Sequence, residues 1–312
     1  MTPDPFPDSR DAPNRTSAPA AVLAGALCLS ISAILVKLAN VDAATTAVLR
    51  CAIAVLVLVP LALHERARLG SLSSAGIGWA VAAGVALGSD YAAWTASIYH
   101  VGAGISTVLI NVQVVVLPTL AFLVDREKVT ARFVMALPLM LIGISLVGGL
   151  WDAGAHGAIT GTVLGVIAGI GYAAYLFITR RASRRVPGLT IQPLTWATTA
   201  AALTAAAIAT LSGGIRLSGI SAHSWVLLVA LAVIGQVVAW LFIHHGSVRL
   251  PPTTTAALLL LQPILALALS AAVLGERPTP LQLLGAVLVL VSVAAANGII
   301  RRTSARSQAT GP

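Results

Sequence analysis

Charge is what this chain most conspicuously lacks. Asp, Glu, Lys and Arg together make up 9% of its 312 residues, where a soluble domain carries about a quarter. Ten of those are carboxylates, and Asp90 alone lies deep inside an apolar run. Cysteine is nearly absent. Cys28 and Cys51 have no metal-ligand spacing and read as small buried hydrophobes, which excludes a disulfide framework and a thiolate metal centre. No G-x-x-x-x-G-K-[ST] occurs, so a nucleotide-driven engine is excluded. His-Glu appears only as His64-Glu65 without a second histidine four residues on, and G-x-S-x-G is absent. With a single deep aspartate, that leaves no metalloprotease, serine or paired-aspartate chemistry inside the membrane. No cofactor is expected. Apolar and polar residues do not alternate at period two, which excludes a membrane β-barrel.

What is present is apolar length. Hydrophobic residues are 58% of the chain. Runs of about 20 apolar residues, enough to cross roughly 30 Å of hydrocarbon as a helix, recur near 18–38, 43–63, 76–98, 102–123, 130–150, 158–179, 189–211, 224–246, 253–274 and 280–300. Lipid supplies no partner for backbone polar groups, so each run is expected to be helical. The fold class is therefore an all-α integral membrane protein of ten transmembrane helices. The formal charge of +9 does not indicate a nucleic-acid partner, because of where it lies. With the N-terminus inside, 15 of the 19 Lys and Arg residues fall in cytoplasmic segments, and Arg216 and Arg277 are the two in external loops. That is the positive-inside bias, and it places both termini in the cytoplasm. The partner implied is the lipid bilayer.

The ten runs are five followed by the same five. Ala93-Trp94 is followed by Gln113, Glu127 and Gly149; Ala239-Trp240 is followed by Gln262, Glu276 and Gly298. Glutamine to glutamate is 14 residues and glutamate to glycine 22 residues in both halves. An odd-numbered repeat of spans enters the bilayer in opposite senses, so the halves form two five-helix inverted repeats, an architecture of secondary transporters with a site near the midplane. The division is a cytoplasmic tail over 1–17, repeats over 18–150 and 151–300, and a second tail over 301–312. Connections are short; the longest are expected near 64–75 and 212–223, and the arginine-rich segment 180–188 joins the halves. Gly161, Gly165 and Gly169, and likewise Gly84 and Gly88, recur every four residues and predict close helix contacts. Pro118, Pro138 and Pro263 predict kinks.

Polar residues at membrane depth are the candidate site. A charge there costs at least a few kcal/mol, so Asp90 must face a cavity or a partner. Two readings stand for it: a substrate amine or proton site, or a structural ion pair with Lys37 or Arg50. Arg50 itself reads better as structural, paired with Asp42 or set among lipid phosphates. Lys37 either snorkels at the membrane surface or binds an anion. Trp94 lies one turn after Asp90. Gln236, Trp240 and His244 share one helical face at i, i+4 and i+8, and in the repeat Trp240 matches Trp94 and Gln236 matches Asp90. An aromatic wall duplicated in this way suits small amphipathic solutes, and His244 adds a group that titrates near neutrality. Asn111, Gln113 and Gln262 need hydrogen-bond partners, either on neighbouring helices or on a ligand. Tyr172 and Tyr175 are weaker candidates. Glu127 and Glu276 read as helix caps.

These residues resemble a known family. "ILVKLANVDAATTAVLRCAIAVLVL" (34–58), "DYAAWTASIYHVGAGISTVLINVQ" (90–113) and "LLLLQPILALALSAAVLGERPTPLQLLGAVLVLVSV" (258–293, around Gly275-Glu276-Arg277) are similar to the ten-helix EamA-type branch of the drug/metabolite transporter superfamily. The resemblance covers roughly 18–300. It implies a basket in which helices 1, 3, 4, 6, 8 and 9 line a central cavity and helices 5 and 10 are peripheral. It implies an exporter of small organic metabolites such as amino acids in a bacterial plasma membrane. Coupling to a proton, exchange with a counter-solute and plain facilitated diffusion all stay open, as do a monomer and a homodimer. The chain departs from the four-helix multidrug members in having no glutamate in helix 1. The competing readings are a membrane-embedded enzyme and a non-transporting scaffold or sensor. The missing catalytic motifs argue against the first, and the lack of an extramembrane domain argues against the second.

Overall fold

The computed structural model describes residues 17–126, 131–148, 156–185, 188–247, 249–250 and 252–296. The expected tail over 301–312, nearly all of that over 1–17, and Glu127, Gly149 and Gly298 lie outside the described residues. Every regular element among the described residues is helical. In chain order they are α1 (Ser17–Ala39), α2 (Ala43–Leu69), α3 (Ser74–Val101), α4 (Ala103–Asp125), α5 (Ala131–Val147), α6 (His156–Arg185), α7 (Ile191–Leu211), α8 (Ala222–Ser247), α9 (Pro252–Leu259 and Leu261–Leu274) and α10 (Pro280–Ala296).

Six of these, α1, α2, α4, α6, α7 and α8, are long and apolar enough to cross a membrane. Helices α5 and α10 and the longer piece of α9 are apolar but shorter. Helix α3 has the length, at 28 residues, but its apolar character is diluted by Ser89, Asp90, Thr95 and Ser97. The even set of ten hydrophobic spans expected from sequence is thus uneven in the structure. The polar face of α3 is buried by its neighbours, with Asp90, Thr95 and Ser97 all buried, while Val81 and Val85 on the same helix are exposed.

Two connections differ from expectation. The long loop expected at 64–75 is a turn over 70–73, because α2 continues past its apolar run to Leu69. Glu65 holds that extra turn in place: its carboxylate accepts from the backbone N–H groups of Thr190, Ile191 and Gln192 at 2.8–3.1 Å, capping the start of α7. Segment 180–188 is likewise helical as far as Arg185.

The packing has a two-fold logic. Helix α3 lies along α6 and α7, and α8 lies along α1 and α2; α2 pairs with α7, α4 with α9, and α5 with α10. Exchanging each helix n with n+5 maps this set of pairs onto itself. The glycine faces make these contacts close. A Cβ on Gly84 would come within 2.2 Å of the Ala197 carbonyl, and one on Gly88 within 2.6 Å of the Ala201 carbonyl. On α6, Gly161, Gly165 and Gly169 meet Val101, Leu109 and Val112 in the same way. Backbones this close gain dispersion and weak polar contacts, which is what holds helices together in lipid.

Helices α4 and α9 are both interrupted, 149 residues apart. A 3-10 turn spans Ile110–Val112 in α4, and Leu260 breaks α9. Each break falls just before the duplicated glutamines Gln113 and Gln262. The causes differ. In α4 the Asn111 side-chain amide donates to the Thr107 and Val108 carbonyls at 3.0 and 3.3 Å, competing with the backbone ladder. In α9 Pro263 has no N–H to give residue 259, and its ring crowds that carbonyl. Pro118 lies in the continuous segment Gln113–Asp125 that follows the break in α4, and Pro138 in the continuous helix Ala131–Val147.

Candidate functional site

Two cavities meet at Trp240. The smaller, about 30 Å³, is lined by Ser32 on α1, Arg50 on α2, Asp90, Tyr91 and Trp94 on α3, Ile110 on α4, Tyr172 on α6, Trp240 on α8 and Gln262 on α9. The larger, about 270 Å³, lies between α3, α6, α7 and α8 toward the end of the bundle that holds Arg180, Thr190 and His244. Trp240 lines both. The family resemblance implied a lining from helices 1, 3, 4, 6, 8 and 9. All six contribute to the small chamber, and α2 adds Arg50.

Arg50 is the residue that sequence reasoning misplaced. It is 1% exposed, neither at a phosphate surface nor paired with Asp42, whose side chain instead caps α2 by accepting from the Thr45 N–H at 2.9 Å. Arg50 sits two turns below that cap. Its guanidinium carbon stacks 3.9 Å from the Tyr91 ring centroid and lies 5.4 Å from that of Trp94, a cation–π arrangement. Nη2 donates to the Gly235 carbonyl at 3.4 Å, while Nε and Nη1 are buried with no hydrogen-bond partner. Gly235 lies in a six-residue π-helical stretch of α8, Val233–Val238, a local departure from the α-ladder that recurs at functional sites.

Asp90, 1% exposed, makes no direct ion pair among the described residues. Arg50 is the cation whose field it feels, and Oδ1 is buried without a hydrogen-bond partner. Trp94 Nε1 is likewise buried and unpartnered. The second group around the chamber is fully bonded. Tyr91 donates its hydroxyl proton to Gln236 Oε1. Trp240 Nε1 donates to the Tyr91 oxygen at 3.2 Å, and Gln236 Nε2 donates to Thr198 Oγ1 at 3.2 Å. Trp240 also packs edge-on against Tyr172 and Tyr175, with ring centroids 6.0 and 5.2 Å apart. These three rings form a partition between the two cavities.

The sequence-predicted residues divide accordingly. Asp90, Trp94, Trp240 and Gln262 line the chamber, and Gln236 touches it through Tyr91. His244 is in the larger cavity, with Nε2 2.9 Å from Thr190 Oγ1. Asn111 is spent on its own helix. Gln113 borders neither cavity, and its Oε1 is unpartnered. Lys37 is at the far end of the bundle, where Nζ donates to the Ile98 carbonyl at 3.2 Å and lies 5.4 Å from the Tyr99 ring centroid. Among the described residues no group of three His, Cys, Asp or Glu side chains is placed to hold a metal.

That far end is tied together by hydrogen bonds. Tyr99 donates to the Val36 carbonyl at 3.0 Å, tying α3 to α1. Glu276, beyond the end of α9, accepts from the Ala103 and Gly104 N–H groups at 2.8 and 3.2 Å, capping α4. Gly102 makes room for that carboxylate: its φ is +89°, and a Cβ there would lie 2.8 Å from the Glu276 carboxyl group. Glu65 and Glu276 are therefore two caps that each bind a helix of the opposite half, one at each end.

Among curated proteins, none matches the chain. A solved structure described only as the crystal structure of a protein superposes with a TM-score of 0.61 over 93% of this chain and 99% of its own, at 16% sequence identity. That likeness is one of fold. The sequence profile of the EamA-like transporter family matches twice, at residues 16–149 and 159–298. The two matches follow the two halves seen in the packing and together cover most of the chain, so this protein, a multi-pass membrane protein built as two related halves, belongs to the EamA-like transporter family.

Proposed function

We propose that the protein is a secondary exporter of small organic metabolites, such as amino acids or related amphipathic solutes, working by alternating access across a bacterial plasma membrane. In this reading all ten helices cross the bilayer, both termini are cytoplasmic, and 18–150 and 151–300 are inverted repeats. The carrying observation is the small chamber. It holds opposite charges and aromatic rings inside the bundle, lies between the Glu276 cap on α4 and the larger cavity, and is divided by Trp240 from that cavity toward the arginine-rich end. With contacts across the halves at one end and the Trp240 partition at the other, this arrangement suits an occluded carrier site that opens to one side at a time. Asp90, Trp94, Gln236, Trp240 and Gln262 form the substrate and coupling site, and His244 stands in the entry cavity. Lys37 belongs to the seal, and Asn111 and Gln113 to the broken α4 that moves with it. With no nucleotide-binding motif in the chain, flux is driven by a proton gradient, by exchange with a counter-solute, or by the gradient of the solute itself.

A metabolite screen tests this. Cells overproducing the protein are compared with cells carrying Asp90→Asn or Trp240→Ala at equal abundance. At least one small organic solute is expected to accumulate outside in the first case and not in the other two. Identical extracellular pools in all three would refute the reading.

A further inference from the structure

We infer that Arg50 is a positioning residue: it holds a surplus residue of α8 in place, and with it the Trp240 ring that keeps the two cavities apart. This rests on the transporter reading and deepens it, because it names the part that moves between chamber and larger cavity.

Helix α8 carries one residue too many for a regular α-ladder. Over Val233–Val238 it is π-helical, and the Ala239 N–H donates five residues back, to the Ile234 carbonyl, instead of four back to Gly235. The Gly235 carbonyl accepts from Arg50 Nη2 at 3.4 Å. A buried carbonyl without a partner is costly, so Arg50 supplies what the ladder has withdrawn. The same guanidinium stacks on the Tyr91 ring. The Tyr91 hydroxyl donates to Gln236 inside the π turn and accepts from Trp240 Nε1 just beyond it. Arg50 thus braces both the backbone of the π turn and the ring that fixes Trp240. It also lines the small chamber, with Nε and Nη1 unpartnered. An acceptor arriving there competes with the Gly235 carbonyl for the guanidinium.

The counterpart in the first half has no surplus residue. Asp90 and Trp94, which match Gln236 and Trp240 in the repeat, lie in continuous α-helix over Ser74–Val101. A π turn is a single-residue insertion that a helix absorbs locally, and it travels when ladder bonds exchange one at a time between neighbouring carbonyls. Residues that it passes turn by about 100°, the angle of one residue in an α-helix, while those on either side keep their places. Moving it one turn toward His244 swings Trp240 away from Tyr172 and Tyr175, against which it now packs. Ile243 and Gly246, seated on Gly25 and Val22 of α1, stay where they are. The way between the two cavities opens without unseating α8.

The test uses full-length protein in membrane vesicles, with Cys28 and Cys51 replaced by alanine and Gln262→Cys placing a thiol on the chamber wall. A small charged methanethiosulfonate is applied from the arginine-rich side. Arg50→Gln is expected to speed labelling roughly 5-fold, the effect of losing one hydrogen bond. Deleting Val238 removes the surplus residue and lets the α-ladder close. That variant is expected to melt like the parent, to label several-fold more slowly, and to show no further response to Arg50→Gln. Deleting Leu87 from the continuous α3 is the contrast, expected to abolish folded protein. Should Arg50→Gln fail to fold, Arg50→Gln/Asp90→Asn, which leaves no unpaired charge, is read in the same way. A Val238 deletion as damaging as that of Leu87 would overturn the inference. So would labelling indifferent to Arg50, or sped equally with and without Val238. Export of a solute by the parent, combined with labelling that none of these changes alters, removes this inference and leaves the transporter reading standing; no export of any solute removes both.

Discussion

Glu276→Gln is the perturbation with the most readable consequence. The carboxylate accepts two backbone N–H groups, from Ala103 at 2.8 Å and Gly104 at 3.2 Å, at the positive end of α4. Glutamine keeps one acceptor oxygen, turns an N–H₂ toward the second donor and removes the charge. A charged hydrogen bond is reduced to a neutral one, and the favourable interaction with the helix dipole is lost, together costing about 1–2 kcal/mol. This cap joins the α9–α10 connection to α4, across the two halves, and in the proposed alternating-access cycle it is present only while that end is closed. The loss therefore falls on the sealed state, and the population open toward Glu276 rises roughly 5- to 30-fold. The assay is cysteine accessibility. With Cys28 and Cys51 replaced by alanine, Ser106→Cys puts a thiol at a buried α4 position between the cap and Trp94. Its labelling by an impermeant maleimide applied from the Glu276 side should accelerate by that factor. An unchanged or slower rate would refute the assignment of Glu276 to the seal.

Two further outcomes follow from the packing and the charge distribution. Gly84→Leu and Gly88→Leu drive a side chain into the α7 backbone and should lower folded yield and thermal stability by at least the roughly 1–3 kcal/mol of ordinary overpacking, whereas Gly78→Leu, with nothing within 4 Å of its Cβ position, should be tolerated in a detergent melt. A reporter fused after residue 302 should behave as cytoplasmic and one inserted in 152–157 as external; a cytoplasmic signal from both would break the ten-span topology.

Hydropathy made the helices legible because a run of apolar residues that cannot face water has few alternatives to a membrane helix. The glycine faces on α3 and α6 were legible for a related reason: a four-residue spacing of glycines has one geometric use in lipid. Arg50 was not, because position along the chain does not give depth. Eight residues past Asp42, it reads as an interfacial cation if the helix starts late. In the structure Asp42 caps the helix at once, and eight residues at 1.5 Å each put Arg50 about 12 Å further in. The available signal was its neighbours. Ala47, Cys51, Ala54 and Leu58 form a buried face of α2, and a charge set among them points to the core. Asn111 misled for the opposite reason. It is a buried amide, as expected, but its donors are taken by its own helix.

The sequence by itself determined the class: membrane-embedded helices in two related halves, a family, and a short list of polar residues that lipid cannot tolerate. These follow from composition and spacing, which report the solvent each segment must meet. Tertiary structure alone decided which polar groups find partners. Tyr91, Gln236, Thr198 and Trp240 close on one another, while Arg50 and Asp90, on different helices, meet at one chamber with donors and an acceptor to spare. Hydrogen bonding depends on distances of a few tenths of an ångström between side chains far apart in the chain, and residue order along α2, α3 and α8 does not encode those distances until the helices pack.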